Sequence, residues 1–156
     1  MNKIRIWDYE AIARGLQESA VVPLVPDTDA RPGESPAEWN LRMLLKHLQA
    51  LAADPETVLR AYPADCDVTE TLADDFNEYL DRSERAVREG LVPADYLEPA
   101  GLVGKQFSDM DGRVDPDLWT NEALRRKPEW AALRRLAAEA LAAMGYDLEP
   151  PPPGSM

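Results

Sequence analysis

Apolar residues return at helical spacing in several separated stretches of the chain. The clearest is 35–53, where Leu41, Leu44, Leu45, Leu48, Leu51 and Ala52 fall at i, i+3, i+4, i+7, i+10 and i+11 and define one broad buried face. Ser35 is placed to cap this helix, Pro36 suits its first position, and Glu38 completes a capping box. A second stripe, Leu72, Phe76, Tyr79, Leu80, Ser83 and Val87, predicts a helix over 69–89 stopped by Gly90. A third, Trp130, Leu133, Ala137, Ala140, Leu141 and Met144, predicts one over 129–144 closed by Gly145. Pro128 separates it from a short helix over 120–126, and Asp54 with Pro55 opens another short one ending before Pro63.

Nearer the start, Asp8 reads as the cap of a helix over 9–19 with Tyr9, Ile12, Ala13, Leu16 and Ala20 on one side. Ile4 and Ile6, alternating with Lys3 and Arg5, make either a short edge strand or an extended lead-in.

Proline and glycine punctuate the rest. The segment 21–34 cannot continue a helix, so its apolar half, VVPLVP, is expected to lie extended against the core; if its valines were exposed it would instead be a docking strand or a polyproline-like ligand segment. With three prolines and three glycines, 91–116 is expected to be a second long irregular connection with at most one helical turn near 92–97. Residues 149–156, EPPPPGSM, read as an extended, disordered tail following a domain over 1–148. The expected fold is therefore all-α: a compact single-domain bundle of about five helices, with two long irregular loops and little or no strand.

A chain of 156 residues suits one core. The formal net charge of -12 changes the picture more, because residues 61–120 hold 15 acidic and 5 basic groups and thus nearly all of the excess. A field of that sign repels phosphate backbones and anionic lipid and favours basic partners, which argues against nucleic acid and membrane surfaces. No apolar run has the length of a signal peptide or a membrane span, and the single cysteine forms no internal disulfide, so the cytoplasm is the expected compartment.

The acids concentrate in the run Asp65, Asp67, Glu70, Asp74, Asp75, Glu78, Asp81 and Glu84. Part of this is helix chemistry. Acids suit the N-terminal half of a helix, and Glu78 to Arg82, Asp81 to Arg85 and Glu84 to Arg88 are well-oriented i, i+4 pairs. The dipole does not account for Glu70, Asp74 and Glu78, which stack like charge on like at a cost of a few tenths of a kcal/mol per pair. Asp65, Asp67, Glu70, Asp74, Glu78 and Asp81 are accordingly the candidate partner-binding residues, and the functional expectation is a non-enzymatic acidic protein that docks and masks a basic partner protein, as inhibitors, immunity proteins, antitoxins and acidic chaperones do.

Other chemistry is weakly supported. His47, the only histidine, lacks an orienting carboxylate and nucleophile in any recognisable arrangement and reads as a partly buried helix residue; no zinc spacing joins it to Cys66. Asp65 and Asp67 flank Cys66 and disfavour its thiolate. The stretch 108–115 resembles part of a calcium loop but would place Phe107 and Leu118 at the two anchoring positions, so it reads as an Asp-Gly turn. The residues Gly101 to Gln106 lack the first glycine and the hydroxyl residue of a phosphate loop. No catalytic residue, metal or cofactor is expected. Two alternatives remain: a ligand-binding protein or enzyme with 91–118 as pocket wall and Arg125, Arg126 or His47 on an anion, and a subunit docking through Trp119, Trp130 and the last helix.

Overall fold

The computed structural model describes residues 30–111 and 115–156. The expectations for the strand or lead-in at 4–6, the helix at 9–19, the extended VVPLVP segment and the turn around Gly112 all lie outside the described residues. Those residues form an all-α fold of six helices, five with seven residues or more, and contain no strand.

Helix α1 (Pro36–Ala52) starts where its sequence says: the Ser35 hydroxyl accepts from the Glu38 amide at 3.1 Å and donates to the Glu38 carboxylate at 3.0 Å. Glu34 ties the preceding turn to this helix. Its two carboxylate oxygens take Nε and Nη2 of Arg42 at 2.8 and 2.9 Å, a two-point fork between side chains only 9% and 11% exposed. Asp54 caps α2 (Pro55–Ala61) and Asp67 caps α3 (Val68–Arg88). Gly90, at φ +77°, turns the chain out of α3 while the Leu91 amide closes back on the Ala86 carbonyl at 2.9 Å.

The segment expected to be irregular after Gly90 is mostly helix: α4 runs Ala94–Asp109 with Pro99 inside it. Proline there forfeits one helical hydrogen bond. The burial of Leu97, Ala100, Val103 and Phe107 on one face outweighs that loss, at about 1.5–3 kcal/mol for each large apolar side chain. Gly104 is no breaker either. A Cβ on it would lie 2.7 Å from Leu80 Cδ2, so its missing side chain leaves room for Leu80 of α3.

A short 3-10 turn (Pro116–Leu118) and α5 (Asn121–Arg126) lead to α6 (Pro128–Ala143). The long helices form the body, α1 packing on α3 and α6, and α4 packing on the same two. Leu44 and Leu48 of α1, Leu72 and Phe76 of α3, Val103 of α4, and Leu133 and Leu141 of α6 meet in the core. Trp130 is interior, 1% exposed, with its indole N–H on the Leu118 carbonyl at 2.7 Å. It is a core residue and is withdrawn from any docking surface.

The proline-rich tail also differs from expectation. It is docked, running extended to Pro152 and then turning through Pro153 and Gly154, where the Ser155 amide closes on the Pro152 carbonyl at 3.1 Å; the Gly154 and Met156 amides donate to the Arg60 and Ala61 carbonyls at 3.0 and 2.8 Å, and Pro151 and Ser155 are buried. No described helix is long and apolar enough to cross a membrane.

Candidate functional site

Helix α3 is 21 residues long and buries one side only. Val68, Thr69, Leu72, Ala73, Phe76, Leu80 and Ser83 face the core, so the opposite side is left to the acids. All six candidate residues, Asp65, Asp67, Glu70, Asp74, Glu78 and Asp81, are exposed.

Their local duties differ. Asp67 accepts from the Glu70 amide at 3.3 Å and the Thr69 hydroxyl at 3.0 Å, which is the work of a helix cap. Glu78 pairs with Arg82, and Asp81 lies 3.5 Å from Arg85. The anticipated pair between Glu84 and Arg88 does not close to ion-pair distance. Among the described residues Asp65, Glu70 and Asp74 have no ion-pair partner, so the uncompensated charge gathers just before the helix and in its N-terminal half, where the macrodipole helps hold it.

Glu70 and Asp74 also stand on the rim of a depression. A groove of about 650 Å³ is lined by Glu70, Asp74 and Asn77 from α3, Phe107 and Ser108 from α4, and Trp119. Asp111 adds a third carboxylate to its lining. The aromatic part is rigid. The Trp119 indole N–H bonds the Met110 carbonyl at 2.7 Å, and its ring stacks on Phe107 at 6.3 Å and meets Trp130 edge-on at 5.8 Å. Carboxylates beside a fixed indole suit a guanidinium or ammonium group, which gains a charge-assisted hydrogen bond and a cation–π contact together.

Sequence reasoning found the acids and missed the opposite wall. Phe107 and Ser108 were hidden because the segment around them read as irregular. Asn77 carried a signal, seven residues after Glu70 and on the same face.

The other candidates are occupied elsewhere. His47 is 5% exposed; its Nδ1 donates to the Met43 carbonyl at 2.7 Å, which fixes the ring, and Nε2 faces Asp75 at 3.7 Å. Tyr79 lies against the imidazole with ring centroids 5.3 Å apart. Burial first, then the negative charge of Asp75, pushes the Tyr62 and Tyr79 hydroxyls above the ordinary tyrosine range, so both stay neutral. Cys66 contacts the Thr71 hydroxyl at 3.4 Å, and no hydrogen bond joins it to His47. The His47 contacts with Asp75 and Tyr79 tie α1 to α3.

Arg125 is spent on Glu56 at 2.6 Å and Glu122 at 3.4 Å, and Arg126 on Glu122. Arg134 donates to the Leu124 carbonyl at 3.0 Å. The cluster that reads as an anion site in the sequence thus joins α5 to α2 and α6. Among the described residues no group of three or more His, Cys, Asp or Glu side chains is placed to hold a metal ion.

Compared with protein families, with curated proteins and with solved structures, the chain finds no match.

Proposed function

We propose that this protein is a non-enzymatic binding protein whose α3 face captures a basic partner protein and masks part of its cationic surface. One observation carries the reading: Glu70 and Asp74 are exposed, one helical turn apart and without an ion-pair partner among the described residues, beside a groove that holds Asp111 and the fixed Trp119 ring. Like charges at i, i+4 destabilise the free helix. A cation seated between them reverses that sign, so the cost borne by the free protein becomes part of the binding energy.

A lysine or arginine of the partner enters the groove and lies on the Trp119 face, while Asp65 and Glu78 meet further basic groups around it. Long-range attraction raises the rate of encounter, and the charge pairs set the orientation. Exposed pairs are individually weak, about 0–1 kcal/mol, so affinity comes from their number and from the cation withdrawn into the groove.

The experiment is affinity capture from the source cell's lysate at low and at high salt, with bound proteins identified by mass spectrometry. A basic protein retained stoichiometrically at low salt and weakened at high salt is the expected result. A partner that is acidic, or one held equally at both salt concentrations, refutes the reading.

A further inference from the structure

We propose that residues 147–156 act as a bound peptide ligand of their own fold: an extended proline-rich segment that occupies a cleft beside α1 and the C-terminal end of α2 and leaves it as a unit. The contacts are those of peptide recognition. Gln49, 1% exposed, reads the main chain in both directions, its amide N–H donating to the Asp147 carbonyl at 2.6 Å and its carbonyl accepting from the Glu149 amide at 2.6 Å. At the other end, the Gly154 and Met156 amides take the Arg60 and Ala61 carbonyls at 3.0 and 2.8 Å. These are terminal carbonyls of a short helix, which has no later turn of its own to satisfy them. Pro151 and Ser155 are buried, and Met156 packs against the core.

Three features make the segment separable. Its centre, Pro150 to Pro153, has no N–H to donate, so the main chain is gripped only at the two ends. Ser155 is 3% exposed with its hydroxyl unpartnered, a cost that release recovers. The long helices also pack on one another directly, α1 and α4 each against α3 and α6, without the segment between them. A run of prolines is already extended in the unbound state and loses little entropy on docking. The cleft therefore selects an extended run of prolines followed by a tight turn at Gly154 and an apolar anchor beyond it, here supplied in cis.

Amide exchange on the full chain, followed by NMR, tests this. The Glu149, Gly154 and Met156 amides are read against amides of α3 and α6. The probe is the synthetic peptide DLEPPPPGSM, N-terminally acetylated, at millimolar concentration, which a competitor needs against a tethered ligand. The expected result is that these three amides are protected at least about tenfold relative to the free peptide, and that added peptide raises their exchange saturably while the helices stay unchanged. Gln49→Leu and, independently, Gly154→Val, which strains a backbone at φ +71°, each speed the same amides about tenfold. Three outcomes overturn the proposal: tail amides exchanging at the free-peptide rate, no response to the peptide, or tail and helices exchanging only together in both variants. Protection that appears only as a dimer forms overturns the assignment in cis.

Discussion

Gly104 lies directly beneath Leu80, close enough that a single added carbon would sit 2.7 Å from Leu80 Cδ2. A side chain at Gly104 would therefore have to displace the end of Leu80 between α4 and α3, at a position that also lines the groove of Glu70 and Asp74. Gly101, one turn earlier, has nothing within 4 Å of where its Cβ would be. The two glycines of one helix therefore respond oppositely. Gly101→Ala is expected to stabilise the protein by up to about 1 kcal/mol through helix propensity and a less flexible unfolded chain. Gly104→Val is expected to destabilise it by about 1–3 kcal/mol through overpacking. Urea unfolding of both variants measures the pair.

The acidic stripe carries a stability signature of its own. Asp74 stands one turn from Glu70 and one turn from Glu78 on the exposed side of α3. Asp74→Lys replaces two like-charge neighbours with two opposite-charge ones and should stabilise the free protein by about 0.3–1 kcal/mol at low salt. If the stripe is kept for binding, the same substitution weakens capture of the basic partner. Thermal unfolding at low and high salt reads the first effect, which salt should erase.

The fork between Glu34 and Arg42 makes stability depend on acid. Hydrogen bonds from the Arg42 guanidinium, opposed by burial and helped by the Arg31 amide, hold the Glu34 carboxyl below its ordinary value of 4.5. A depressed acid contributes stability that is complete above the unfolded value and is lost as pH falls through the folded one. Glu34→Ala should therefore cost about 1–2 kcal/mol near neutral pH, and its gap from the unaltered protein should narrow once pH drops below about 4. Denaturant titrations at neutral and acid pH test both the size and the sign.

How far the sequence foretold this can be judged residue by residue. Ser35, Asp54, Gly90 and Gly145 are local signals whose partners lie within a few residues, so the helix ends they mark agree with the structure to within one or two positions, whereas Asp67, read only as a partner-binding acid, turns out to cap its helix. The ion pairs of Arg82 and Arg85 follow from spacing on one helix in the same way. Pro99 and Gly104 misled because their cost is local while their compensation is tertiary: Leu97, Val103 and Phe107 reward a helix only once α3 and α6 stand opposite. The link from Arg125 to Glu56 spans 69 positions, and the tail's hold on Gln49 spans 98 and 100. No pattern within a helix encodes such contacts. For the groove the limit was the same: one wall was visible as a charge run, and the other needed the fold.

Trp119 is the aromatic part of that groove, and its removal separates packing from recognition. Trp119→Phe keeps a ring beside Phe107 and Trp130 but deletes the N–H that bonds the Met110 carbonyl. The expected loss of stability is about 1–2 kcal/mol. Partner binding should weaken several-fold, since indole is the best face for a cation. Binding and unfolding measured on the same preparation distinguish the two effects.

The most direct test reverses the charge itself. A variant carrying Glu70→Lys, Asp74→Lys and Glu78→Lys leaves the Asp67 cap and the whole buried face of α3 untouched. Circular dichroism should show unchanged helicity, and capture of the salt-sensitive basic partner should be abolished. If the variant keeps its helicity and still captures that partner at the same salt concentration and stoichiometry, the α3 face is a solvated helix surface and the account of it as a docking face is wrong.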